Sequence, residues 1–163
     1  MRKIYYQIIK FEEYKYIVAA TNKGLAFVGL RDETLEDMSK FYPKAEFIED
    51  YSLTNHYAKE ITEYLDGNRT KFDLKLDIVG TEFQESVWKA VAKIPYGEVS
   101  NYTKIANSIN RPKAVRAVGT AIGRNPVPLV IPCHRVLAKD GTLGGYRGGL
   151  EMKSDLLHLE RKK

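Results

Sequence analysis

The sequence holds one cysteine, one tryptophan and three histidines in 163 residues. A single cysteine, Cys133, excludes an intramolecular disulfide and any cysteine-rich zinc site, and three scattered histidines do not replace the missing ligands. No metal and no cofactor are therefore expected. No stretch approaches the ~20 apolar residues of a membrane span. The start, Met1-Arg2-Lys3-Ile4-Tyr5-Tyr6, carries no apolar leader core and no small-residue cleavage site. A soluble protein of a reducing cytoplasm, without a membrane partner, is the expectation. The GxxxxGK[ST] phosphate loop is also missing, so binding of a nucleoside triphosphate is not implied.

What is present is unevenly placed. The net charge of +5 splits into 12 Lys+Arg against 14 Asp+Glu in residues 1–80, and 14 against 7 in residues 81–163. A basic half on an otherwise neutral chain suggests a polyanionic partner for that half.

Residues 1–31 alternate in apolar spacing (Ile4, Tyr6, Ile8; Tyr14, Tyr16, Val18; Leu25, Phe27) and turn at Glu12-Glu13 and Thr21–Gly24. This predicts a three-stranded β-meander. A short polar helix over 32–39 and a longer one over 53–66 follow, and the alternation of Phe72, Leu74, Leu76 and Ile78 predicts one more strand. The pattern changes at Gly80-Thr81. Thr81 with Gln84 forms a capping-box signature, opening a helix lined by Phe83, Val87, Trp88 and Val91. Two short helices, over 102–109 and 113–123, are separated by Asn110-Arg111-Pro112, which is the layout of a helix-turn-helix. The second has a core face of Val115, Val118 and Ile122. Its other positions, Ala114, Ala117, Gly119 and Ala121, are small, with Arg116 as the one long side chain among them. A last helix spans 150–161. The fold class is α/β (α+β): an N-terminal β-meander domain with helices (1–80) and a mostly helical C-terminal domain with a winged-helix-like helix-turn-helix (81–163).

Cys133 lies in Asn125-Pro126-Val127-Pro128-Leu129-Val130-Ile131-Pro132-Cys133-His134-Arg135-Val136, which contains three of the six prolines. The run Leu129-Val130-Ile131 predicts a short buried strand. A free cysteine is most often a small buried hydrophobe, so the neighbours decide its reading. An imidazole and a guanidinium follow it at once. Adjacent residues of a strand face opposite ways; Cys133 and His134 can cooperate only if Pro132 ends the strand. The loop Leu143–Gly149 has four glycines and can bring backbone amides close to a flat ligand.

Pro132-Cys133-His134-Arg135-Val136 resembles the active-site motif of the O6-alkylguanine-DNA alkyltransferases. The segment Tyr96–Tyr102, the helix Arg111–Gly119, Asn125-Pro126, Gly148-Gly149-Leu150, and Lys153 with Glu160 extend the resemblance over nearly all of 81–160. Residues 1–80 match only in size and β-rich pattern. The resemblance implies a single-turnover transfer of the alkyl group from O6-alkylguanine, with O4-alkylthymine a second candidate substrate, to Cys133 of the protein itself. It implies that His134 takes the thiol proton through a water, Glu160 orients His134, Tyr102 donates toward the leaving base, and Asn125 acts as a hinge. Arg116 would fill the duplex where the nucleotide flips out, with Thr103, Lys113, Ala114, Ala117, Gly119, Arg124 and Arg135 at the DNA. Tyr102, Pro128, Val136, Gly144, Gly145, Tyr146, Arg147 and Gly148 would line the base pocket. The implied partner is double-stranded DNA containing O6-alkylguanine, bound by a monomer. Asn101 departs from the small or hydroxyl residue expected there.

Three other readings compete, the first of them also resting on the resemblance. A lesion-binding protein of this fold would lack the acceptor thiol, which is present. A helix-turn-helix transcriptional regulator would need base-reading side chains that the small-residue helix lacks. A Cys-His hydrolase of acyl substrates would leave the basic half unexplained.

Overall fold

The structure is a computed structural model and describes residues 2–161. The chain divides into two compact units, Met1–Ile78 and Val79–Lys163.

In the first unit, β1 (Lys3–Phe11), β2 (Tyr14–Thr21) and β3 (Gly24–Val28) form the expected antiparallel meander. The sheet has a fourth strand that the pattern did not predict. β4 (Glu46–Glu49) pairs in parallel with β1, giving the order β3-β2-β1-β4. β2 is buried on both faces from Tyr16 to Thr21, because a helix packs on each side. Ile17 and Ala19 join Ile4, Phe27 and Met38 of helix α1 (Leu35–Phe41) in one core. The alternate residues face α2 (Tyr51–Leu65), which packs on β1 and β2.

Helix α1 starts later than predicted. Asp32 is in a left-handed conformation (φ 59°) and accepts from the Lys15 N–H, so the helix cannot begin before the Thr34–Asp37 capping box. The strand predicted over 72–78 is not formed. Only Leu76 bridges Leu25, through Leu25 N–H to Lys75 O (2.9 Å) and Asp77 N–H to Leu25 O (2.8 Å). Gly24 permits this approach, since a Cβ there would lie 2.7 Å from the Lys75 carbonyl oxygen. Pairing stops after one residue, so the alternation of 72–78 never becomes a ladder.

The second unit contains α3 (Glu82–Ala92), β5 (Ser100–Asn101), α4 (Tyr102–Ser108), α5 (Val115–Gly123), a 3-10 turn (Cys133–Arg135), β6 (Val136–Leu137) and α6 (Leu150–Arg161). The Thr81–Gln84 capping box forms as expected. Trp88 of α3 donates from Nε1 to the Ala121 carbonyl of α5 at 2.9 Å, fixing one wall of the helix-turn-helix. The α4–α5 turn is made by Asn110 in a left-handed conformation (φ 60°), with Arg111 N–H closing onto Ala106 O at 2.9 Å. Asn101 turns out to be the N-cap of α4, accepting from Lys104 N–H at 2.8 Å. It therefore supplies the hydrogen bond that a hydroxyl residue would supply there. Ala121, expected on the outer side of α5, is buried against Trp88 instead.

Candidate active site

The segment before Cys133 is not a strand. Val127–Ile131 doubles back in a tight turn, with Ile131 N–H donating to Val127 O at 3.0 Å and Leu129 at φ 74°. Pro128 and Pro132 have no N–H to give to a ladder, so the apolar run Leu129-Val130-Ile131 serves packing rather than pairing. Leu129 and Ile131 are buried.

Asn125 holds this turn from inside. Its Nδ2 donates to Ile131 O at 2.9 Å and its Oδ1 accepts from Val127 N–H at 2.9 Å. The side chain is itself buried and stands next to the sulfur, where its hydrogen bond favours the thiolate. One residue thus ties the end of α5 to the segment that delivers Cys133.

At Pro132 the chain enters the 3-10 turn Cys133–Arg135. Cys133 and His134 therefore escape the opposite-facing geometry of a strand, as the position of Pro132 predicted. Cys133 forms part of the wall of a cavity of about 540 Å³. Tyr102 of α4 and Gly119, Ile122 and Gly123 of α5 line one side, while Gly145, Tyr146 and Arg147 of the glycine-rich loop line the other. Burial pushes the Cys133 thiol up, opposed by the Asn125 hydrogen bond and by the charges of Arg147 and Lys153. Burial likewise raises the Tyr102 phenol, opposed by a hydrogen bond from the Gly145 backbone. Tyr102 also explains Gly144 (φ +69°), since a Cβ there would lie 3.0 Å from the tyrosine hydroxyl.

Behind the sulfur lies a buried charge cluster. His134 Nε2 is 2.6 Å from Glu160 Oε2. Arg135 donates from Nε to Glu160 Oε1 (2.8 Å) and from Nη2 to Glu160 Oε2 (3.0 Å). Its Nη1 donates to the Ile94 carbonyl at 2.6 Å. Burial holds His134 below the ordinary imidazole range, against the pull of the Glu160 carboxylate. The pull is weak because Arg135 already neutralises the same carboxylate. The Tyr146 ring meets His134 edge-on, with centroids 6.4 Å apart.

Several expected residues sit elsewhere. Arg135, expected at the DNA, is buried and fully engaged with Glu160 and Ile94. Val136, expected in the base pocket, is a core residue, Pro128 is buried, and neither they nor Gly144 and Gly148 line the cavity. Val136 donates its N–H to Cys133 O and accepts from Lys153. Arg116, Ala117 and Arg124 are exposed on α5 and at its end, and Lys113 is exposed just before it. Ala114 and Thr103 are half-buried.

Two features were missed. Ile122 and Gly123 line the cavity, a role their core-face and end-of-helix positions did not signal. Lys153 is fully buried in α6. Its Nζ donates to Val136 O (2.7 Å), Gly145 O (3.0 Å) and Leu143 O, tying β6 to the glycine-rich loop. Burial brings its pKa down to about 8. The resemblance singled out Lys153 with Glu160, but nothing in the local sequence gave its role.

Comparison with known proteins agrees on one family. Residues 82–162 match the family model "6-O-methylguanine DNA methyltransferase, DNA binding domain", and residues 4–78 match "6-O-methylguanine DNA methyltransferase, ribonuclease-like domain". The inducible methylated-DNA–protein-cysteine methyltransferase of Bacillus subtilis is 46% identical over 98% of this chain and 91% of its own length. The methylated-DNA–protein-cysteine methyltransferase of Methanosarcina barkeri is 43% identical over 96% of this chain and 97% of its own length. The crystal structure of Mycobacterium tuberculosis OGT in complex with DNA superposes with a TM-score of 0.86 at 35% identity, covering 97% of this chain and 93% of that one.

Proposed function

This chain belongs to the 6-O-methylguanine DNA methyltransferase family, and we propose that it repairs duplex DNA by moving the alkyl group of O6-alkylguanine irreversibly onto Cys133. The observation that carries this reading is the placement of the only thiol of the chain in the wall of a cavity, beside a His134–Glu160 pair held at 2.6 Å.

The chemistry follows from the environment. A buried thiol with a raised pKa is protonated at neutral pH and needs a base to become nucleophilic. His134 is held neutral and can serve. Its Nε2 is occupied by Glu160, so the thiol proton goes to Nδ1, through a bridging water, and Glu160 steadies the imidazolium. The sulfur then attacks the alkyl carbon, an S–C bond forms and the C–O6 bond breaks. The electron pair goes to the guanine, which takes one proton from Tyr102, and the proton held on the His134 imidazolium returns through solvent to restore the Tyr102 phenol. Thiol plus alkylguanine become thioether plus guanine, so atoms and charges balance. The chain has no second cysteine to regenerate the thiol, so each molecule reacts once.

The target atom is inside the duplex stack, and the nucleotide must be flipped out at a cost of a few kcal/mol. The exposed α5 surface with Arg116, Lys113 and Arg124 supports a DNA-facing role. Arg116 takes the place of the extruded base, and the small residues Ala114, Ala117 and Gly119 allow close approach to the groove. The basic charge supplies affinity independent of sequence. In this reading residues 81–163 bind DNA and transfer the alkyl group as a monomer, and residues 1–80 support them.

Incubation with a duplex containing one O6-methylguanine tests the reading. The lesion is expected to disappear from the DNA with wild-type protein and to persist with Cys133→Ala. Loss of the lesion in both would remove Cys133 from the reaction.

A further inference from the structure

The second unit has another cavity, of about 460 Å³, that shares no lining residue with the one holding Cys133. It lies between the C-terminal half of α3, the link to β5, and α4. Its floor is aliphatic: Ile94, Ile105 and Ile109, with Val99 at the edge and 45% exposed. Its rim carries Lys89, Lys93 and Lys104, all exposed. None of these ammonium groups forms an ion pair among the described residues. Glu98 is the one acidic side chain on the lining.

An apolar floor with three lysines against one glutamate on its lining has a definite complement. We infer that this groove docks an acidic segment of a partner protein that inserts aliphatic side chains between α3 and α4. Carboxylates would meet the three lysines, and leucine-like anchors would cover Val99 and the isoleucines, in the manner of an amphipathic helix in a groove. A DNA backbone fits less well. Phosphates need donors and charge on an accessible surface, and a concave aliphatic floor would stay uncovered beneath them. The groove also abuts the nucleophile segment. Ile94 gives its carbonyl to Arg135, and Ser100 of its wall pairs with Val136. A partner seated there would touch the back of the active site while the Cys133 cavity stays open to a base.

The test uses the full chain labelled for amide NMR and a synthetic peptide with glutamate and leucine at helical spacing. The peptide is expected to shift the amides of Val99, Ser100, Ile105 and Ile109. The double variant Lys89→Glu/Lys93→Glu should weaken its binding about tenfold, roughly 1.4 kcal/mol, while reacting with free O6-benzylguanine at the wild-type rate. Three results would overturn the inference: no shifts at these amides, equal shifts with a peptide in which serine replaces leucine, or displacement of the peptide from the groove by undamaged duplex DNA. The last would make the groove part of the nucleic-acid surface.

Discussion

Arg135 clasps Glu160 with two parallel N–H groups, Nε at 2.8 Å from Oε1 and Nη2 at 3.0 Å from Oε2. The same Oε2 lies 2.6 Å from His134 Nε2. Two neighbours in sequence thus share one buried carboxylate, and the guanidinium sets how much negative charge the imidazole feels. Removing it, in Arg135→Met, leaves Glu160 buried with His134 and the Gly97 N–H (3.1 Å from Oε1) but no cationic partner of fixed charge. A loss of about 3–5 kcal/mol is expected from breaking a buried pair, measured by urea denaturation. His134 should also become more basic, moving the acid limb of the alkyl-transfer rate to higher pH. A variant as stable as wild type would show that the pair is not a structural link.

The pH dependence has a definite sign. Burial raises the Cys133 pKa and lowers that of His134, so around neutrality both are uncharged and the rate should be nearly level. As pH falls below the ordinary imidazole value of ~6.5, His134 takes up a proton and the rate should drop. The inflection belongs below that value because the His134 pKa is depressed. Stopped-flow transfer from free O6-benzylguanine would follow it, and His134→Ala should be slow with no acid limb. An inflection above 7 in the wild type would contradict the neutral imidazole.

Asn125→Ala removes two hydrogen bonds, leaving Ile131 O and Val127 N–H buried without that partner. Val127 N–H is the group orphaned, at a cost of about 1–3 kcal/mol, while Ile131 O keeps its bond from Cys133 N–H at 2.8 Å. The lost hydrogen bond to sulfur should raise the thiol pKa further, so transfer at neutral pH is expected to slow about tenfold or more, a misplacement-sized effect. Thermal melting and single-turnover rates check both. A variant that melts lower but reacts normally would confine Asn125 to a structural role.

Arg116 is exposed in the middle of α5. In the proposed role Arg116→Ala slows repair of duplex DNA by about tenfold or more, equivalent to the 1–3 kcal/mol of one well-placed contact, and leaves the reaction with free O6-benzylguanine nearly unchanged. Equal losses on both substrates would remove the base-replacing role.

Local chemistry made much of this protein legible in its sequence. The Thr81–Gln84 box and the break at Asn110-Arg111-Pro112 are short-range signals, and each forms where the residues indicate. The escape of Cys133 and His134 from strand geometry was legible from Pro132. What failed depended on partners far along the chain. The alternation of 72–78 has one bridging residue instead of a neighbouring strand. Leu129–Ile131 is apolar but turns between two prolines that lack an N–H, and only an isolated Pro128–Ile131 bridge forms. Arg135 looks like a DNA contact until Glu160, 25 residues on, is seen to hold it. Lys153 has no local mark of its role, because its three acceptors are carbonyls brought together only by the folded loop.

In the proposed reaction Cys133 is a stoichiometric acceptor. Intact-protein mass spectrometry after reaction with excess O6-methylguanine duplex tests it most directly. A gain of one methyl group per molecule is expected, located on the peptide containing Cys133, with repaired DNA equal in amount to protein. Unmodified protein alongside repaired DNA in excess of the protein would contradict it.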